Sequence, residues 1–226
     1  MVELLDPNKI LGNCAPKPNV LNLDQMLLFW HQKDVDAMRY IIRVNPNVGS
    51  SFFPFRTHPK WVVRSAQLAD NELCYKHLIS QYDIRNVINL YDHSFQSSDQ
   101  IEKELRIFKT HKPLVVYTRV AHFSVWTDTQ TQEALFNDID MIVNQIALAQ
   151  GNVHLHCYQG MHETGVIFGI LQKCIQHAPD QEVVATYQRY CAYIDQKQPG
   201  FSEDQNIRAI LAYPCERIKH LVEPKP

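Results

Sequence analysis

Strand-like and helix-like segments alternate along the chain from residue 61 onward. Short apolar runs of strand length are each followed by a longer segment with helical periodicity. Strands are predicted at 61–63, 86–91, 114–120 and 152–157, and helices at 70–83, 97–111, 131–150, 164–177, 181–196 and 202–214. Such alternation is typical of β-α-β crossovers, in which parallel strands form one covered sheet. We therefore predict an α/β fold with a central, mostly parallel sheet of about four or five strands and helices on both faces.

The first 60 residues do not follow this alternation. The segment LNLDQMLLFWHQ (21–32) predicts an amphipathic helix, and MRYIIRV (38–44) predicts a strand that ends at the turn signal NPNVG. The stretch SFFPFRTHPKW (51–61) is aromatic and irregular. Because the chain contains no internal repeat and no Gly/Ser linker, we predict one compact domain over 56–226 with an N-terminal extension, 1–55, that packs on it.

The amino-acid composition limits the domain size and the classes of binding partner that we expect for this chain. At 226 residues, with 45% hydrophobic and 20% charged residues, the chain is long enough for one domain with a full core. The formal charge of −2 and the scattered Lys and Arg argue against nucleic acid or an anionic membrane surface as the partner. No apolar stretch approaches the ~20 residues that cross a bilayer, and the acidic start, broken by Pro7, lacks the features of a signal peptide.

The cysteines favour a reducing compartment. The chain has six, without a C-x-x-C pair, at positions 14, 74, 157, 174, 191 and 215. Several lie inside apolar helical patterns, where cysteine is usually a small buried hydrophobic residue. We therefore expect reduced thiols and a cytoplasmic protein, and the even count leaves a disulfide framework open as the alternative.

The stretch HCYQGMHETG (156–165) joins a predicted strand to a helix that begins near Glu163. Functional sites in parallel sheets lie at the carboxyl ends of strands, and backbone N–H groups at the start of a helix bind anions. The same helix dipole lowers the pKa of a cysteine such as Cys157. The pattern His-Cys-x-x-Gly-x-x-Arg-Thr-Gly marks a phosphate-binding loop with a nucleophilic thiolate. This chain has every element of it except the arginine, which Glu163 replaces.

Three stretches resemble the dual-specificity branch of the cysteine-dependent protein tyrosine phosphatases, including its bacterial inositol-phosphatase-like members. VVRSAQLADNELCYKHLISQYDIRNVINL (62–90) resembles the family's first strand, R-S-x-Q turn, helix and next strand. FSVWTDTQ (123–130) resembles its mobile acid loop, and HCYQGMHETG its signature loop. The resemblance covers roughly residues 60–212 and implies a cysteine-phosphatase fold without a cofactor or metal. It also implies that the partner is a phosphorylated protein or a small phosphate ester.

The resemblance implies a role for each matching residue. Cys157 corresponds to the nucleophile, Asp128 to the general acid, Thr164 to the hydroxyl partner of the thiolate, and His156 to the residue that orients the loop. The remaining residues of the phosphate-binding loop are Tyr158, Gln159, Gly160, Met161, His162, Glu163 and Gly165. Simpler structural interpretations stay open: a buried core thiol for Cys157, a helix cap for Asp128 and a hydrogen-bonded strand-end histidine for His156.

The replacement of the arginine by Glu163 predicts a loss of activity. An arginine fork binds two phosphoryl oxygens, whereas a carboxylate about 4 Å from a unit negative charge repels it by roughly 4 kcal/mol at an effective dielectric of about 20. The carboxylate also raises the pKa of Cys157. Pairing of Glu163 with Arg64, or protonation of His162, would reduce this penalty. A lesser departure is Gln132, near where the family often has proline.

The sequence thus favours a pseudophosphatase that binds a phosphorylated or anionic partner with little or no hydrolysis. Two alternatives remain. In the first, the same fold keeps some activity through the loop backbone, His162 and Asp128, or performs another thiol reaction. In the second, His156, Cys157, His162, Glu163 and Asp128 bind zinc. Against the second, neighbouring residues of a strand such as His156 and Cys157 point to opposite sides.

Overall fold

A computed structural model describes residues 14, 32, 34–91, 98–112, 114–120, 123, 131–191 and 203–222. Its centre is a sheet of five strands, which are β1 (Gly49–Phe53), β2 (Lys60–Ser65), β3 (Ile84–Asn89), β4 (Val116–Arg119) and β5 (Asn152–His156). Their order across the sheet is β1-β2-β5-β3-β4. Strand β1 is antiparallel to β2, and the other neighbouring pairs are parallel. The predicted fold class is confirmed, with β5 in the middle of the sheet.

Helices connect and cover the strands. They are α1 (Val35–Val44), α2 (Glu72–Tyr82), α3 (Ser98–His111), α4 (Gln132–Leu148), α5 (His162–Cys174), α6 (Asp180–Cys191) and α7 (Glu203–Ala212), followed by a 3-10 helix at Cys215–Leu221. Helix α4 begins after Thr131, whose side chain accepts a hydrogen bond from Ala134 N at 3.2 Å. This is the usual N-cap interaction. Each helix predicted after residue 61 corresponds to one of α2 to α7.

Two predictions for the first 60 residues are wrong. Residues 38–44 form the end of helix α1 rather than a strand, because Asp34 caps that helix by accepting from Ala37 N at 3.0 Å. Strand β1, which pairs Gly49 with Arg64 and Phe53 with Lys60, lies partly in the segment read as irregular. The predicted helix at 21–32 lies outside the described residues, apart from its last residue.

Apolar side chains fill both faces of the sheet. On one face, Val153 and Leu155 of β5 belong to the core that α4, α5, α6 and α7 cover. On the other face, Val63 and Val87 pack with residues of α2 and α3. Residues of α1 and β1 also belong to the first core, which is consistent with an extension that packs on the sheet. The division of the chain into 1–55 and 56–226 stays a prediction.

Four of the six cysteines form disulfides, Cys14–Cys74 and Cys174–Cys215, whereas Cys157 and Cys191 are buried and form no disulfide. The expectation of reduced thiols throughout is therefore wrong. The partners are 60 and 41 residues apart, so the spacing gave no sign of the pairing. Because disulfides persist mainly in oxidising compartments, this removes one ground for expecting a cytoplasmic protein. No helix among the described residues is long and apolar enough to span a membrane.

Candidate active site

The loop after β5 lies at the carboxyl edge of the parallel part of the sheet. His156, the last residue of β5, is in register with Ser65 of β2 and Asn89 of β3. Its carbonyl oxygen accepts a hydrogen bond from Leu90 N at 2.7 Å. The loop then passes directly into α5. The sheet edge, the loop and the start of a helix therefore meet where ligands bind in folds of this kind.

Gly160 gives the loop its shape. Its φ of 69° lies in the left-handed region, and a Cβ there would lie 2.4 Å from the backbone of Ser65. Only glycine fits this close approach. The side-chain amide of Asn47 donates to the carbonyl oxygens of Gln159 at 3.2 Å and of Gly160 at 3.1 Å, while Gln67 N donates to the carbonyl oxygen of Tyr158 at 2.9 Å. These bonds fix the loop from outside.

The thiol of Cys157 lies inside this loop and is 2% exposed. Burial raises its pKa to about 12, and the nearby carboxyl group of Glu163 contributes to the rise. The backbone N–H groups of Thr164 and Gly160 act in the opposite direction, because they stabilise the thiolate. The hydroxyl group of Thr164 also lowers this pKa, although it forms no hydrogen bond of ordinary geometry. The unfavourable effects are larger, so the thiol is protonated at neutral pH.

Glu163 is 6% exposed and its carboxyl group lies against the Cys157 thiol. Burial raises the pKa of this carboxyl group, and its interactions with the backbone N–H of Glu163 and with the Cys157 thiol only partly oppose the rise. No ion pair joins Arg64 to Glu163, both of which are described. Arg64 instead donates to the carbonyl oxygen of Gly160, and its guanidinium lies 3.8 Å from the ring centroid of Tyr190. The expected partner of Glu163 is thus engaged elsewhere.

His162 does not supply a positive charge to the loop. Its Nδ1 accepts a hydrogen bond from the side-chain amide of Asn206 at 3.0 Å. Desolvation by the surrounding protein lowers its pKa to about 4, so the ring is neutral at pH 7. Its position in the first turn of α5 also disfavours a cation. Neither of the two cations considered from the sequence therefore pairs with Glu163, although the Arg64 guanidinium lies close enough to Cys157 to interact with it electrostatically.

His156 lies on the opposite face of the sheet from the Cys157 thiol. Its Nε2 is 3.1 Å from Glu104 Oε1, and its Nδ1 is 3.1 Å from the carbonyl oxygen of Cys157. Glu104, on α3, was not among the residues predicted for the site. It is fully buried, as is Gln100 one turn earlier, so its place on the apolar stripe of the helix was the available signal.

Of the other residues predicted for the site, Met161, Tyr158 and Gly165 are described by the structure and Asp128 is not. Asp128 lies outside the described residues, so its role stays a prediction. Met161 is 2% exposed, and the ring of Tyr158 packs 5.3 Å from that of Tyr91. A Cβ on Gly165 would lie 2.6 Å from the ring of Tyr187, which indicates that this glycine allows α5 and α6 to pack closely.

The zinc alternative is not supported among the described residues. His156 faces Glu104, away from the Cys157 thiol, so the loop groups do not converge on one point. Within the part of the chain that the structure describes, the one cluster of three possible ligands is Glu104, His154 and His156.

A solved phosphatase domain has a similar fold. The core catalytic domain of the PP-IP phosphatase SIW14 from S. cerevisiae, in complex with citrate, matches with a TM-score of 0.55 and 14% identity, over 77% of this chain and 89% of that one. TpbA from P. aeruginosa matches with a TM-score of 0.46 and 12% identity, over 74% and 89%. No family model and no curated protein matches the sequence. The first match shows that this chain has the fold of the cysteine-dependent phosphatases, which confirms the predicted resemblance at the level of the fold.

Proposed function

We propose that this chain is a pseudophosphatase, which binds a phosphorylated or otherwise anionic partner with little or no hydrolysis. One observation carries the proposal: the Cys157 thiol is buried against a carboxyl group, that of Glu163, where the related loops have an arginine. The cysteine that would act as nucleophile is present but neutral, and the arginine that would bind the phosphoryl oxygens is missing.

The buried thiol is a poor nucleophile. Only the thiolate attacks phosphorus at a useful rate. With a pKa of about 12, roughly one Cys157 in 10⁵ is ionised at pH 7. Glu163 also offers a phosphoryl group no N–H donors, and Arg64 and His162 do not replace them. Both the attack and the stabilisation of the transition state are therefore impaired.

The loop keeps features that favour the binding of an anion. The backbone N–H groups of Gly160 and Thr164 point toward the thiol, at the start of α5. Such convergent N–H groups attract anions without a side-chain cation. Because burial favours the protonated form of Glu163, its repulsion of an anion is reduced. We propose a phosphorylated protein or a small phosphate ester as the partner, with Cys157 and Thr164 lining its site.

The alternative is an active phosphatase with an atypical loop. The retained Cys157 and the left-handed backbone of Gly160 favour it, because they preserve the shape that an active loop needs. In that enzyme, Asp128 would act as the general acid and Thr164 would stabilise the thiolate. The two candidates differ in whether Cys157 contributes to turnover.

Hydrolysis of an aryl phosphate and binding of tungstate test the proposal together. Wild type and Cys157→Ser should hydrolyse the aryl phosphate at the same background rate, while tungstate raises the melting temperature of both. Turnover in the wild type that Cys157→Ser abolishes would instead identify an active enzyme. If tungstate bound to neither protein, the proposed anion site would be wrong.

A further inference from the structure

A buried polar cluster lies behind the sheet, on the face opposite the Cys157 thiol. It consists of Glu104 on α3 and of His154 and His156 on β5, all three with 0% exposure. Each side chain offers one possible ligand atom, and these atoms lie within 4.8 Å of one another. The two histidines are two residues apart on a strand, so they share a face, and their rings stack with centroids 5.0 Å apart.

Each histidine is oriented by a partner at its second ring nitrogen. His154 Nε2 lies 2.7 Å from the hydroxyl oxygen of Ser65. His156 Nδ1 lies 3.1 Å from the carbonyl oxygen of Cys157, to which it donates when the ring proton is on Nδ1. Histidines that bind metals have such partners, which fix the ring and its tautomer.

The two carboxylate oxygens of Glu104 also differ, because one accepts a hydrogen bond and the other does not. Its Oε2 accepts a hydrogen bond from the Tyr117 hydroxyl group at 2.8 Å. Its Oε1 has no hydrogen bond, although it lies 3.1 Å from His156 Nε2. His154 Nδ1 and His156 Nε2 also have none. The Tyr75 hydroxyl group is a fourth buried atom, which forms no hydrogen bond of ordinary geometry but interacts with the Glu104 carboxyl group, and its ring centroid is 5.1 Å from that of His154.

We propose that Glu104, His154 and His156 bind a zinc ion through these three atoms. Buried polar atoms that form no hydrogen bond are destabilising, and three of them meet at this point, where the 3.1 Å contact between Glu104 Oε1 and His156 Nε2 is their closest pairing. Two imidazole nitrogens and one carboxylate oxygen form a ligand set that zinc prefers. Ligands about 2.0–2.1 Å from a tetrahedral ion lie roughly 3.3 Å from one another, so small side-chain shifts would complete the site. The Tyr75 hydroxyl group or a water molecule is the fourth ligand.

The zinc ion would have a structural role. It would join α3 to the end of β5, one residue before Cys157, while Ser65 links the site to β2. The ion lies on the other face of the sheet from the thiol, so it takes no part in a reaction in the loop. This inference does not depend on the proposed binding of a phosphorylated partner.

Metal content and cobalt substitution test the site. Protein purified without an affinity tag or added metal, then given one equivalent of zinc and desalted, should retain one zinc ion per chain. Cobalt in its place should give the d–d absorption of a four-coordinate site with nitrogen and oxygen ligands. Zinc in about hundredfold excess over its dissociation constant should raise the melting temperature by roughly 5–10 °C.

Two substitutions locate the ion, with a matched control on the same helix. Glu104→Gln keeps an acceptor for Tyr117 but loses the carboxylate, and His154→Val removes one imidazole; each should weaken zinc binding by roughly a hundredfold or more. Glu102→Gln, at an exposed position on α3, should leave binding unchanged.

Three outcomes would overturn the assignment. The first is a wild-type protein that retains no zinc, which would leave Glu104 and His156 as an ion pair only. The second is binding that Glu104→Gln does not weaken. The third is a thiolate-to-cobalt charge-transfer band, which would place the metal on a cysteine. If the His154→Val protein failed to fold, the wild type and Glu104→Gln would still be sufficient to refute the proposal.

Discussion

Alkylation of Cys157 as a function of pH tests whether the loop holds its thiol in the neutral form. Cys191 is the other cysteine among the described residues that forms no disulfide, so the experiment uses a Cys191→Ser background. The rate of reaction with iodoacetamide is followed by mass spectrometry of the peptide that contains Cys157. This rate is proportional to the thiolate fraction, which the pKa determines.

The expected magnitude follows from the environment of the thiol. With a pKa of about 12 instead of an ordinary value of 9.0, roughly one Cys157 in 10⁴ is ionised at pH 8. The rate should therefore rise about tenfold for each unit between pH 7 and pH 10, without a plateau. Glu163→Gln should speed the reaction at every pH, because the carboxyl group is the second cause of the raised pKa. The pKa should still stay above its ordinary value, because burial is the first cause.

A plateau with a midpoint at or below the ~8.5 of a free thiol would refute this reasoning. It would mean that the N–H groups of Gly160 and Thr164 outweigh burial. The exposed Glu102→Gln is the matched control for the loss of one carboxylate, and it should leave the alkylation profile unchanged.

Three further predictions concern stability. The pKa of His162 is about 4 in the folded state and 6.5 when unperturbed, so the stability that its neutral form provides is complete above pH 6.5 and is lost as the pH falls toward 4. Urea unfolding should show a loss of roughly 3 kcal/mol over this range. His162→Asn should remove this dependence on pH. Gly160→Ala should cost roughly 2–5 kcal/mol by the same assay, because of its φ of 69° and a Cβ 2.4 Å from backbone. Gly151→Ala, which also has a positive φ but meets only a flexible side chain, should cost less; equal costs would contradict the backbone clash. Loss of the disulfide Cys174–Cys215, which spans 41 residues, should lower the free energy of unfolding by about 4 kcal/mol, and no change on reduction would contradict its presence.

Features that depend on contiguous sequence could be predicted. The alternation after residue 61 predicted the order of strands and helices, because each kind of element has its own periodicity of apolar residues. The loop was recognisable because Cys157, Gly160 and Thr164 lie within eight residues of one another. Residues 38–44 were read as a strand because the cap that makes them helical, Asp34, precedes the apolar run. Their assignment depended on one residue outside the segment.

Features that depend on distant residues could not be predicted. Arg64 was a reasonable partner for Glu163, but the folded chain directs its guanidinium to the Gly160 carbonyl oxygen and the ring of Tyr190. The carboxylate beside His156 comes from Glu104, 52 residues earlier, and a single sequence gives no information on such a pair. The disulfides could not be predicted for the same reason, because a pattern of burial does not show which cysteines pair.

The reversal of one substitution tests the central claim, that Glu163 separates this loop from a working phosphatase. An arginine at 163 would replace the buried carboxyl group beside the thiol with a bidentate phosphate clamp, and oriented donors of this kind each contribute roughly 3–4 kcal/mol to the transition state. Glu163→Arg should therefore raise aryl phosphate hydrolysis by at least about a hundredfold over the wild type, and more than Glu163→Gln does. Adding Cys157→Ser should abolish the gain, and Asp128→Asn should reduce it at neutral pH. A folded Glu163→Arg protein with no gain in turnover, which bound tungstate no better than the wild type, would contradict the claim.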